Sequence, residues 1–164
     1  MVTGQIDPQR WPQVRGLLEY LEGAWQKPDD GIWEIRGPRR HFVQVQSHGV
    51  LAFDCAVRLV EQFELEAPLE RWKQVRAQIH HEVCDKGYDP ERGTFTQYYG
   101  SQELDAAVLM IPIAGFLPGA DKRVGGTIDA LSDELGSDGL ISRYSTDATD
   151  DGLPGSEGQF LACS

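Results

Sequence analysis

Trp11, Val14, Leu17, Leu18, Leu21 and Trp25 recur at steps of three and four, and segments of the same period return down the chain, so the sequence is committed to helices. Gln13, Arg15, Glu19 and Glu22 occupy the other face of this first helix, which therefore meets water on one side. A second helix, roughly Phe42–Phe63, differs: Val50, Leu51, Ala52, Phe53, Ala56, Val57, Leu59 and Val60 leave little polar surface, so it is expected to be buried on most sides. Pro68 suits a first helical turn, and Leu69, Trp72, Val75, Ile79 and Val83 then form a single stripe that ends at Gly87. Leu104–Ile113 is again nearly all apolar, with Pro112 forcing a kink or stop. Asp121 can cap a last helix with the stripe Val124, Ile128, Leu131 and Leu135, ended by Gly136. Only Thr94–Tyr98 alternates like a strand. The pattern predicts an all-α fold with inner and outer helical layers.

The connections sort by length. Those from buried to one-sided helices, Glu64–Ala67 and Gly115–Ala120, are short and plain. Those from one-sided to buried helices, Gln26–His41, Tyr88–Ser101 and Ser137–Gln159, are long and carry Gly, aromatics and charges. In a two-layered ring, loops of one kind emerge on one rim, so one rim is structural and the other is where chemistry is placed.

Composition narrows the chemistry. The 164 residues suffice for one core, and 15 Lys and Arg against 26 Asp and Glu give a net charge of −11. Such a surface disfavours nucleic acid and anionic membranes. The longest apolar stretches are too short to span a bilayer, and no basic start precedes an apolar run, so the chain is read as cytoplasmic. Cys55, Cys84 and Cys163 are widely spaced, without a C-x-x-C, and are expected to be reduced thiols with no metal site among them.

Two carboxylates stand out on the rich rim. Trp33 beside Glu34 suits sugar chemistry, because an indole face stacks on a pyranose and low polarity raises a carboxyl pKa towards that of a proton donor. Glu157 follows 123 residues later on the same predicted rim. Two carboxyls across a pocket are the minimal machinery for glycosidic hydrolysis, and a separation of about 6.5–9.5 Å fits inversion. A Glu in a Gly-rich loop also serves as a solvated charge or a helix cap, and spacing alone leaves both readings open.

Longer motifs add to this. Gly31-Ile32-Trp33-Glu34-Ile35-Arg36-Gly37-Pro38-Arg39-Arg40-His41-Phe42 resembles the signature of bacterial members of glycoside hydrolase family 15, the glucoamylase and trehalase family. The similarity continues through Gly87-Tyr88-Asp89-Pro90, Tyr99-Gly100 with Leu104-Asp105-Ala106-Ala107, Gly115-Phe116-Leu117-Pro118, Arg143-Tyr144, and Asp151-Gly152-Leu153-Pro154 through Glu157-Gly158 to Ser164. The resemblance implies an (α/α)6 barrel with its active site on one rim. It also implies cleavage of α-glucosidic bonds in a glucan, oligosaccharide or trehalose, with inversion and without an organic cofactor or metal. Glu34 would be the general acid, Glu157 the general base, and Trp33 a wall of the glucose pocket. Arg143 and Tyr144 would match a segment that holds sugar hydroxyls, with Arg36, His41 and Tyr99 as further pocket candidates. Arg36 and Arg143 could equally neutralise carboxylates, and Tyr99 could pack between helices.

The sequence departs from the family in two ways. Where a Ser-Lys and a following Trp are typical, Val45, Gln46 and Val50 stand, so Gln46 or His48 would have to replace the cation. A closed ring also needs about twelve helices, and five are legible here with the start of a sixth. Residues 1–164 are thus expected to be a partial catalytic domain, without the N-terminal half of the barrel and the β-rich domain. A complementary barrel half or self-association would then cover exposed flanks. The alternative is a non-catalytic fragment, or a subunit that binds sugar or a partner.

Overall fold

The periodic segments fold as α1 (Trp11–Ala24), α2 (Val43–Phe63), α3 (Leu69–Lys86), α4 (Met110–Ile113) and α5 (Lys122–Leu135). A computed structural model describes residues 10–34, 37–145 and 158–160. α2 and α3 form an antiparallel hairpin at the centre. α2 buries Val43, Val50, Phe53, Ala56, Val57 and Val60 together with polar Gln44, Gln46 and Ser47, as expected of an inner helix. α3 buries one stripe, Trp72, Val75, Ile79 and Val83.

Trp72 is the pin between three helices. It is fully buried, meets Trp11 of α1 edge-on at 6.2 Å and lies 6.4 Å from Phe53 of α2. At the far end of the hairpin, any side chain on Gly87 would meet a Val43 methyl at 2.8 Å. The end of α3 therefore touches the start of α2, and glycine is needed there for lack of room.

The described residues also hold two short antiparallel hairpins: β1 (Tyr88–Asp89) pairs β2 (Thr94–Phe95), and β3 (Gly136–Ser137) pairs β4 (Leu140–Ile141). The strand-like Thr94–Tyr98 is thus partly a strand, but its partner and the second hairpin are too short to show a period of two. The fourth helical segment begins later than expected. Asp105 accepts the Ala107 N–H at 2.8 Å and caps a 3-10 turn over Ala106–Leu109, which runs into α4. Asp121 caps α5 as expected, accepting from the Arg123 N–H. The stripes of α1 and α5 are less fully used than their spacing suggests: Leu17 is 71% exposed, and Val14 and Ile128 are also exposed. The fold is all-α, an arc of inner and outer helices of the (α/α)6 kind.

The Trp72 indole N–H is buried without a hydrogen-bond partner. Its ring therefore stabilises by packing alone, against an uncompensated polar group. Trp72→Ala should cost about 3–5 kcal/mol in urea unfolding. Trp72→Phe, which keeps a ring and removes the orphan donor, should cost less than about 2 kcal/mol. Equal losses from the two variants would contradict this account of the core.

Candidate active site

The first long loop closes on itself before it displays any chemistry. Asp29 and Arg40 exchange backbone hydrogen bonds at 2.8 and 2.9 Å, so the intervening residues form a looped-out tip. At its near side the Asp29 carboxylate accepts the Gly31 N–H at 2.7 Å. Gly31 has φ +72, and a Cβ there would sit 3.0–3.1 Å from the Phe42 ring. The turn closes where the Glu34 N–H reaches the Gly31 carbonyl at 3.3 Å. Glu34 itself lies in the left-handed region at φ 50, which an L side chain adopts only at a cost.

Backbone pairs then join the long loops to one another. Phe42 bridges Tyr98, the Tyr99 N–H donates to the His41 carbonyl at 3.1 Å, and the Val43 N–H donates to Gln97 at 3.0 Å. Asp105 bridges Tyr144, the Ala106 N–H donates to the Arg143 carbonyl at 2.8 Å, and Ser142 bridges Gln159. The described parts of the three long loops are therefore tied together, the third through Asp105 just beyond the second.

On this rim Trp33 is half-buried, and its indole N–H points between both oxygens of Asp105, at 3.0 and 3.1 Å. The Arg143 guanidinium lies over the Trp33 ring at 4.9 Å, and Phe160 meets the ring edge-on at 6.2 Å. The Arg143 N–H donates to the Gly158 carbonyl at 3.1 Å. Burial pushes the Asp105 carboxyl pKa up, while the donors Trp33, Ala107 and Gln97 pull it back down.

Glu34 is exposed and lines a cleft of about 900 Å3 with Asp29, Ile32, Gln44, Val45 and His48. Burial raises the Asp29 pKa, partly offset by the Gly31 N–H, and its second oxygen is buried without a partner. His48, rather than the buried Gln46, reaches this cleft, with its Nδ1 2.9 Å from the Gln44 carbonyl.

The other sequence candidates are spread out. His41 and Tyr99 form their own stacked pair, 5.5 Å apart, away from the Trp33 cluster's hydrogen bonds. The Tyr99 hydroxyl is buried without a partner, and burial pushes its pKa upward. Tyr144 is buried and contributes its backbone to the ladder with Asp105. Arg36 and Glu157 lie outside the described residues. Asp29 and Asp105 had no role in the sequence reading. An Asp two residues before a glycine is a local signal for the Asp29 turn, whereas nothing local links Asp105 to Trp33. Among the described residues no cluster of His, Cys, Asp or Glu could hold a metal, and no helix is long and apolar enough to cross a membrane.

The model of the glycosyl hydrolases family 15 matches residues 3–164. The chain belongs to that family. Among curated relatives, the trehalase of Thermoplasma acidophilum is 39% identical over 159 residues, covering 96% of this chain and 27% of the relative. The trehalase of Mycobacterium tuberculosis is 38% identical over 160 residues, covering 98% of this chain and 23% of the relative. This family 15 chain therefore spans about a quarter of the length of these relatives. A solved glycosidase variant in complex with glucose has the same fold over 85% of this chain and 37% of its own, with a TM-score of 0.73 at 22% identity. A wild-type glycosidase matches over 77% of this chain and 33% of its own, with a TM-score of 0.65 at 24% identity.

The tight turn at Gly31 generates a test of how the family 15 loop is held. Gly31→Ala adds a methyl against Phe42 in a left-handed conformation and should lower stability by about 1–2 kcal/mol. Gly37→Ala, where the added methyl meets nothing within 4 Å, should stay within about 0.5 kcal/mol. Urea unfolding followed by tryptophan fluorescence separates the two, and a harmless Gly31→Ala would contradict the turn geometry.

Proposed function

We propose that this chain supplies the acid and the base of an inverting α-glucosidase whose first candidate substrate is trehalose, with malto- and isomalto-oligosaccharides next. One observation carries the reading: Arg143 stacks on Trp33 and hydrogen-bonds to Gly158. Glu34 follows Trp33 and Glu157 precedes Gly158 in sequence, so each candidate carboxylate is next in the chain to a residue that Arg143 contacts. The trehalase names of the relatives support the substrate, and the cleft that Glu34 lines supplies room for a sugar unit.

In this reading Glu34 protonates the departing glycosidic oxygen, and Glu157 takes a proton from a water that attacks the anomeric carbon from the opposite face. Trp33 offers an apolar wall to the C–H face of the ring, and Arg143, held by that indole, is placed to hydrogen-bond sugar hydroxyls. Arg36, His41, Tyr99 and Tyr144 are proposed as outer members of the pocket. The catalytic domain as a whole extends beyond the portion represented by residues 1–164, and the remaining barrel wall is part of the working enzyme.

The chemistry of trehalose makes the mechanism readable. Inversion at one anomeric carbon releases one β-glucose and one α-glucose, whereas retention releases α-glucose only. Glucose release is followed by NMR for the chain alone and with the N-terminal portion of a family 15 relative added. The chain alone should be weak, because an incomplete wall leaves the carboxylates imprecisely held. The supplemented protein should give both anomers at early times. Glu34→Gln and Glu157→Gln should each lower the rate by about 10²–10⁴. An α-only product would overturn inversion, and unchanged rates in both variants would overturn the residue roles.

A further inference from the structure

The hydrogen bonds of Asp105 extend further than a cap requires. Its carboxyl is buried at 3% exposure, yet every partner in reach is a donor: the Trp33 indole N–H, the Ala107 backbone N–H at 2.8 Å and the Gln97 amide nitrogen at 3.4 Å. An O–H on this carboxyl would find no acceptor among those groups as they stand, so the donor set selects the carboxylate. The balancing cation is close. Arg143 lies over the Trp33 face while Asp105 holds the edge of the same ring, and Asp105 and Arg143 sit in adjoining positions of the backbone ladder. An anion that accepts an indole N–H enriches the ring in electron density and so strengthens its attraction for a guanidinium on the face.

We propose that Asp105 is a positioning residue for the glucosidase reaction: its carboxylate orients Trp33 and, through the indole, Arg143, and thereby sets the loop of Glu34 against Gly158. The inference rests on the glucosidase reading above. Trp33 belongs to the first long loop and Arg143 and Gly158 to the third, while Asp105, just past the second, also accepts from Gln97 of that loop, so this one set of contacts joins all three. Asp105 touches no reacting atom. It acts by fixing the angle of the indole and the seat of the guanidinium.

A merely structural Asp105 would cap the 3-10 turn and nothing more, and the test separates the two roles. The full chain and its variants are studied well below their melting temperatures, by NMR of the Trp33 indole N–H and by glucose release in the supplemented assay. Asp105→Asn replaces one acceptor oxygen by an amide that cannot accept. It should move the Trp33 indole proton upfield and lower kcat by about 10²-fold with a smaller change in KM. Asp105→Glu, which restores the charge, should recover part of the loss. Trp33→Phe removes the donor, and in that background Asp105→Asn should cost almost nothing further. An unmoved indole resonance with wild-type kcat would overturn the inference, and so would losses from Asp105→Asn and Trp33→Phe that simply multiply. Indistinguishable rates for wild type and Glu34→Gln would defeat the glucosidase reading itself, and this inference with it.

Discussion

The packing of α2 against α3 around Trp72 decides where everything else goes. Phe53 and Trp11 meet that indole from two sides, and at the other end of the hairpin Gly87 admits Val43. The three long loops spring from this second end or are tied back to it, because residues 41–43 pair with 97–99. A helix rotated by one position would turn Val43 away from Gly87 and take the start of α2 out of register with Gln97. Core packing and rim geometry are thus set by one contact surface, and a change deep in the hairpin has a path to the carboxylate loops.

A chain with net charge −11 places more carboxylates in its cleft, where Asp29, Asp30 and Glu34 all lie. A cleft lined in this way is unfavourable to anions. Arg39 pairs with Asp30 at 3.1 Å on the surface, where such a pair contributes little, while Arg143 lies over the Trp33 ring. The proposed neutral sugar is compatible with such a lining, whereas a phosphorylated ligand would meet like charge.

Long-period features were legible in the sequence, and contacts between distant segments were not. α1, α2, α3 and α5 fall on their apolar repeats because a stripe of period 3.6 is visible over three or more turns. The fourth segment was overread: Leu104 and Asp105 look like the start of an apolar helix, but Asp105 is engaged by Trp33, 72 residues away, and the helix begins after it. The hairpins were missed because two-residue strands carry no alternation. Of the site, Trp33 and Glu34 could be read from a compact motif, and Arg143 from its resemblance to a sugar-holding segment. The link that joins Trp33 to Asp105 had no local signature, since an Asp before an apolar stretch reads simply as a cap.

The rim also shows why strain and rigidity occur together. Glu34 sits at φ 50, and a non-glycine residue there costs about 1–3 kcal/mol, so the conformation persists only where its surroundings over-determine it. Those surroundings are mostly backbone: the Asp29–Arg40 pair closes the loop, Gly31 supplies the turn, and Phe42 leaves no other space for it. Main-chain bonds hold the register regardless of side-chain identity, so the side chains at the tip are left available for chemistry. Trp33 departs from this rule because its partner is a buried carboxyl, whose desolvation its donors Trp33, Ala107 and Gln97 offset in part. A side chain anchored by such a costly contact cannot drift gradually, since leaving it abandons a carboxylate in the interior. The indole is therefore held in one orientation, and whatever stacks on it inherits that orientation.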